Sequence, residues 1–224
     1  MPSEPERLSS ESGIELQDIR SVARSYFRRE VSPAHDWFHV QRVEANAEQL
    51  ASEYPDVDDA VVRLSVLLHD IGRAKEDRGE IEDHAEWGAE ESDRILREHG
   101  VSSDRRDAVA HCIRAHRYSN HIEPETLEAK ILCDADNLDA IGAVGIARCF
   151  TYGGELGSPI HDPSLPVEAD ESVAGETQFN HLQKKLLNIS NRMYTDAGRE
   201  RASERTEFVR TFAQRFEREV AGNR

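Results

Sequence analysis

The chain has 224 residues and a formal net charge of −16, from 44 acidic and 28 basic residues, so it is long enough for one sizeable core and lacks a basic stripe for holding nucleic acid non-specifically through its phosphates. No apolar run approaches the roughly twenty residues of a membrane span, and the N-terminus MPSEPERLSSESG has neither a basic nor an apolar leader region, which points to a cytoplasmic protein. Only Lys75, Lys130, Lys184 and Lys185 are lysines, an acidic, lysine-poor composition that resembles a halophilic surface, where molar salt screens self-repulsion.

Residues 1–13 are polar and expected to fray; the remainder, 14–224, is expected to form one domain. A helix is predicted from Glu15 to Arg29, with Ile19, Val22, Ala23 and Tyr26 on one face. Ser32 and Pro33 interrupt it. Asp36 is placed to cap a second helix on which His39, Val43, Ala47 and Leu50 recur at helical spacing, turning His39 inward, and Pro55 closes it. Asp58 or Asp59 caps the third, VVRLSVLLHDIG over 61–72, whose apolar residues leave little surface for water. It ends on His69 and Asp70, with Gly72 suited to a left-handed terminating turn. A buried imidazole beside a carboxylate is costly unless something binds the pair, and a divalent cation is the commonest ligand for it. The simpler alternative is that the two cap the helix and hydrogen-bond each other.

Arg73 to Asp83 reads as a charged loop bordering the mouth of a pocket. His84 opens a helix, HAEWGAEESDRILREHG, with Gly88, Glu91 and Ile95 along its side, and a glycine one turn from a histidine permits close packing of another backbone. The next helix, Arg106 to Ser119, turns Val109, Cys112, Ile113 and His116 inward and leaves His111 at the surface. Glu125 to Cys133 and the following DADNLDAIGAVGIARCF read as a helix or a broken pair, with a tightly packing stripe of Ala140, Ala143, Val144 and Ala147; Asp136 and Asp139 share a face that Asp134 does not. Thr151 to Glu176 is a loop long enough to act as a flap. Thr177 to Val220 gives two helices, the first carrying Leu182, Leu186, Ile189 and Met193, the second a core ladder of Phe208, Phe212 and Phe216. No strand-like alternation appears, so an all-α bundle is the consistent class. Cys112, Cys133 and Cys149 form no CxxC pair and read as buried thiols of a reducing compartment.

The ordered set His39, His69 with Asp70, and Asp136 resembles the H…HD…D pattern of the HD-domain superfamily of metal-dependent phosphohydrolases, in its stand-alone bacterial and archaeal branch. HDWFHVQRV, LLHDIGR, HAEWGAEES, IRAHRYS and DADNLDAIGA occur in the order that family shows. The resemblance implies an HD helical bundle over about 32–150, followed by the 151–176 loop and additional C-terminal helices over 177–220. It implies a divalent metal ion held by His39, His69, Asp70 and Asp136, His39 rather than His35 being the ligand of the first segment. Arg73 stands where phosphodiesterase relatives often carry lysine and resembles a phosphate clamp. His84 and His116 resemble histidines that hold a second metal in dinuclear relatives and touch substrate phosphate in mononuclear ones; substrate contact is the reading adopted, because no extra bridging carboxylate is evident. Nucleotidase relatives carry a glutamate three residues after the HD pair, where Arg73 stands here, and Glu76 can replace it only if the loop folds back.

Two imidazoles and two carboxylates suit Mn²⁺, Fe²⁺, Co²⁺, Ni²⁺ or Mg²⁺ rather than a thiolate-type structural zinc. Such an ion acidifies a bound water and stabilises charge developing on a phosphoryl group, with Asp70 expected both to ligate and to orient or deprotonate that water. The expected activity is therefore hydrolysis of a phosphoester or phosphoanhydride, with a nucleotide or similar small anion as the partner. The alternative is a regulatory module that holds metal and nucleotide without turnover. Nothing in the sequence signals an oligomeric state.

Overall fold

The computed structural model describes residues 16–27, 31–117 and 122–223. The expected frayed N-terminus, 1–13, lies outside them, as do Glu15, Arg28 and Arg29 of the first predicted helix and Ser119 of the helix before residue 122. Among the described residues the regular structure is helical throughout: α1 (Leu16–Ser25), α2 (Trp37–Ala51), α3 (Asp59–Leu68), α4 (Arg73–Asp77), α5 (His84–Glu98), α6 (Ser103–His116), α7 (Leu127–Asp139), α8 (Gly142–Glu155), α9 (Gln178–Lys184) and α10 (Asp196–Val220), with a 3₁₀ turn over Leu186–Arg192. This is the expected all-α class. The chain divides into two compact units, one of 1–31 with 35–135 and one of 32–34 with 136–224.

The first unit is built around α3. Its Leu64, Leu67 and Leu68 are fully buried and Val61, Val62 and Val66 nearly so, each such side chain contributing about 1.5–3 kcal/mol by leaving water. α1, α2 and α6 pack on it, and α5 packs on α6. Local chemistry starts these helices where expected. The Asp36 carboxylate accepts from the His39 N–H at 3.0 Å. Asp58, rather than Asp59, caps α3 by accepting from Ala60 and Val61, and Asp83 does the same for α5; a cap of this kind is worth about 1 kcal/mol. α2 ends at Ala51, before Pro55, where the Glu53 and Tyr54 N–H groups tighten onto the Leu50 and Ala51 carbonyls at 3.1 and 3.0 Å. Asn46 ties α2 to α7 through the Ala135 carbonyl at 3.0 Å.

The region after the HD pair departs from expectation. Arg73–Asp77 winds into a helical turn, α4, instead of a loop. Gly72 caps it with φ −86°, so it is not the left-handed terminator. What glycine supplies there is room: a Cβ on Gly72 would stand 2.6 Å from the His84 carbonyl oxygen. Gly88, the glycine predicted to permit close approach, would place a Cβ at an ordinary 3.6 Å from the His69 carbonyl.

In the second unit a core of Ile146, Cys149, Phe179, Leu182, Leu186, Val209 and Ala213 is flanked by Phe150, Phe212 and Phe216, with Phe179 stacked on Phe216 at 4.5 Å between centroids. Three expectations fail here. On α8 the stripe of Ala143, Val144 and Ala147 faces outward, because Ile146 and Cys149 bring more apolar area to the opposite face. On α10 Phe208 is 51 % exposed: residues four apart drift by roughly 40° around a helix, and Val209, fully buried, occupies the core position instead. The C-terminal stretch is also three pieces rather than two helices. All three cysteines are free and buried, and burial pushes the Cys112 thiol up to about 12 and that of Cys149 up to about 11, so neither is a nucleophile at neutral pH.

The segment 156–177, five residues shorter at its start than expected because α8 runs on to Glu155, is organised around the buried Asp170. Its carboxylate accepts from the Ser172 and Glu176 N–H groups at 3.0 and 2.9 Å and from the Asn180 amide at 2.8 Å, and pairs with Lys184 at 3.2 Å. The Ser172 hydroxyl foremost, with these other donors, holds Asp170 well below the usual carboxylate range against the cost of burial. A carboxyl depressed in the folded state stabilises the fold above its unfolded value, near 3.9, and that stability is lost as pH falls through the folded value. Asp170→Asn is therefore expected to lower the melting temperature at pH 7 and to narrow its deficit against the wild type as the pH is taken below about 4. Melting curves across that range, read in constant high salt, check this; a deficit that does not change with pH contradicts it.

Candidate metal centre

Four helix ends in the first unit meet at Asp70. His69 is the C-cap of α3 and Asp70 follows it; His116 is the last residue of α6. His39 and His84 come from the opposite kind of end, the first turns of α2 and α5. C-terminal ends carry partial negative charge and favour a cation, while N-terminal ends favour an anion. The meeting point therefore suits a cation with an anion bound beside it. All five side chains are at most 7 % exposed.

The two Asp70 oxygens have separate neighbours. Oδ2 lies 3.5 Å from His39 Nε2 and 3.8 Å from His69 Nε2. Oδ1 lies 3.5 Å from His84 Nε2 and 3.6 Å from His116 Nε2. His39 and His69 face each other through their Nε2 atoms at 3.3 Å. The rings form a chain, with centroids 5.4 Å apart for His39 and His69, 5.1 Å for His69 and His116, and 5.4 Å for His116 and His84.

Hydrogen bonds at the far side of the rings fix which nitrogen is presented. His69 Nδ1 donates to the Val66 carbonyl at 2.7 Å and His116 Nδ1 to the Ile113 carbonyl at 2.5 Å, each to the residue three positions back on its own helix. His84 Nδ1 donates to Glu76 Oε2 at 2.7 Å. A neutral imidazole whose Nδ1 carries the proton has its lone pair on Nε2, so these three rings turn lone pairs toward the carboxylate. Burial alone would raise the Asp70 carboxyl; the His69 imidazole and hydrogen bonds from His116 and His39, given when their Nε2 atoms are protonated, hold it well below the usual range. Burial lowers His84, against the pull of Asp70.

This donor chemistry fits a divalent ion. His39, His69 and Asp70 bring one ligand atom each to within 4.8 Å of one another, and so do Asp70, His84 and His116. Donors bound at about 2.1 Å to one ion stand about 3.0–3.4 Å apart, close to the 3.3–3.8 Å between atoms here. Nitrogen and oxygen donors without thiolate suit a borderline or hard ion.

Of the other predicted residues, Arg73 is the first residue of α4, its guanidinium 3.3 Å from both Glu76 and Asp77. Asp136 stands half-buried in the last turn of α7 and belongs to the second unit. Asp139, predicted to share a helix face with Asp136, pairs with Arg148 at 2.9 Å in that unit. His111 accepts from the Glu125 N–H at 3.0 Å and His99 holds the Ile95 carbonyl at 2.8 Å, so neither belongs to the centre.

Arg117 escaped sequence reasoning, and Glu76 entered it only on the condition of a fold-back. The fold-back required of Glu76 does occur: α4 brings it against His84. Arg117 then reaches Glu76 Oε1 and Asp83 Oδ2, both at 2.8 Å. Each sits in a charged run that reads as a solvated face, and only the three-dimensional path of α4 distinguishes them. The Asp70 carboxylate itself also supplies the bridge between the two histidine pairs that the sequence did not reveal.

The HD domain family matches residues 37–141. Over 212 residues the chain is 32 % identical to YpgQ of Bacillus subtilis, covering 93 % of this chain and 95 % of that protein. The crystal structure of YpgQ in complex with ADP is similar at a TM-score of 0.73 and 29 % identity, over 93 % of this chain and 99 % of that one. An HD-superfamily hydrolase from Bacillus thuringiensis has a TM-score of 0.71 at 28 % identity, over 92 % of this chain and 96 % of that one. A stretch of 129 residues is 34 % identical to ribonuclease Y of Borrelia garinii subsp. bavariensis, covering 57 % of this chain and 23 % of that protein. No helix among the described residues is long and apolar enough to cross a membrane. With the HD pair at the meeting point of four helix ends and relatives aligned over nearly its whole length, the chain belongs to the HD-domain superfamily of hydrolases.

Proposed function

We propose that the chain hydrolyses a phosphoester or phosphoanhydride bond of a nucleotide or related small anion, with His39, His69, Asp70 and Asp136 as the ligands of a divalent ion, Mn²⁺, Fe²⁺, Co²⁺, Ni²⁺ or Mg²⁺. The observation that carries this reading is the convergence of four buried imidazoles on both oxygens of Asp70. The ADP bound by YpgQ supports a nucleotide, and the likeness to a ribonuclease supports chemistry at phosphorus. The acidic, lysine-poor composition supports work in a salt-rich cytoplasm.

When bound, the ion supplies an acidified water and positive charge for the phosphoryl oxygens. Asp70 is placed to orient that water or to accept its proton. Arg73, steadied by Glu76 and Asp77, clamps a phosphate. His84 and His116 contact the substrate phosphate, donating from Nε2 when protonated. A second reading has a specific observation behind it: the acceptors on both Nδ1 atoms leave lone pairs on Nε2, so Asp70 Oδ1, His84 and His116 can instead take a second ion. A module that binds metal and nucleotide without turnover is the alternative from another class.

Asp70→Ala is expected to abolish metal binding and lower turnover by about 10³-fold, measured by elemental analysis and by a panel of nucleoside mono- and triphosphates, cyclic dinucleotides and generic phosphodiesters with Mn²⁺, Co²⁺, Ni²⁺ or Mg²⁺ in high salt. Unchanged metal content and rate would sink the assignment, and a silent panel with metal bound would favour the binding module. Metal stoichiometry decides between the two roles of His84 and His116. Substrate contact predicts one ion per chain and a raised KM in His116→Ala, whereas a second ion predicts two per chain falling to one.

A further inference from the structure

His84 differs from His69 and His116 in how its ring can be fixed. The latter two end helices, so the carbonyl three residues back stands within reach of Nδ1. His84 begins α5 and has no preceding helical turn to supply such a carbonyl. Glu76 does the same job from another element. We infer that Glu76 is a positioning residue for His84, its carboxylate accepting the Nδ1 proton so that the Nε2 lone pair stays turned onto Asp70.

The two Glu76 oxygens divide the work. Oε2 takes His84 Nδ1 at 2.7 Å, with Arg73 Nη1 at 3.3 Å. Oε1 faces Arg117 Nη2 at 2.8 Å. The second arm of Arg117 holds Asp83 Oδ2 at 2.8 Å, and Asp83 is the N-cap that starts α5 at His84. One guanidinium therefore fixes both the partner of the ring and the helix end that carries it. A carboxylate on the remote nitrogen of a ligand or contact histidine sets tautomer and ring orientation, and losing such a partner typically costs 10- to 100-fold in affinity or activity. A pair that merely tied α4 to α5 would leave the choice of ring nitrogen open.

The inference takes the catalytic meaning of His84 from the proposed function, but its own claim is about a proton on a named atom and is tested without turnover. Long-range ¹H–¹⁵N correlations on the metal-free, ¹⁵N-labelled full chain at pH 8 are expected to show His84 with its proton on Nδ1. In Glu76→Ala the Nε2–H form is expected to appear at His84, while His69 and His116 keep their pattern. A wild-type His84 protonated on Nε2, or on both nitrogens, overturns the inference, as does an unchanged tautomer in Glu76→Ala; if that variant does not fold, the wild-type assignment decides. With bis(p-nitrophenyl) phosphate and Mn²⁺, Glu76→Ala is expected to lose 10- to 100-fold in kcat/KM. A wild type inert toward every phosphoester would instead defeat the proposed function and leave the tautomer result standing.

Discussion

A carboxylate taken out of water is the constraint around which the first unit is arranged. Removing an ionised group from solvent costs several kcal/mol even after relaxation, and Asp70 is 5 % exposed. What offsets that cost is a ring of four imidazoles rather than a lysine or arginine. Imidazoles are bases near neutrality, so they can hold Asp70 through N–H groups when protonated and present lone pairs to a cation when neutral. An arginine in their place would have satisfied Asp70 and closed the centre to metal. Because both carboxylate oxygens face histidines, neither is spent on a structural hydrogen bond of the kind that Asp36, Asp58 and Asp83 make to helix N-termini.

The geometry follows from using helix ends instead of helix faces. A residue at an end is held by the rigid turn behind it while its side chain projects past the last hydrogen-bonded backbone groups. Two C-termini and two N-termini bring fields of both signs to one point. The second unit rests on different principles, an aromatic core of Phe150, Phe179, Phe212 and Phe216 and an irregular segment tied down by Asp170 and Lys184.

Much of this is legible in the sequence because the signals are local. Helical period turns His39, His69 and His116 inward, and capping chemistry names Asp36 and Asp58. The failures have physical causes. The face of α8 depends on which side chains bring more area to a distant α10, and Phe208 loses its core place to a drift that counting by fours conceals. Glu76 and Arg117 matter only because α4 folds back, which their charged surroundings do not announce. Helical period separates Asp136 from Asp134, but only family resemblance sets it apart from Asp139, which shares its face.

Gly72 lies immediately before α4, where any Cβ would press on the backbone of His84. Alanine is usually the mildest of replacements, yet at this position a lone methyl would wedge apart the segment that delivers Asp70 and the segment that delivers His84. Tolerance to change here is thus dictated by clearance rather than polarity, and a survey of substitutions should find this small, chemically silent position as intolerant as the ionisable ones it separates.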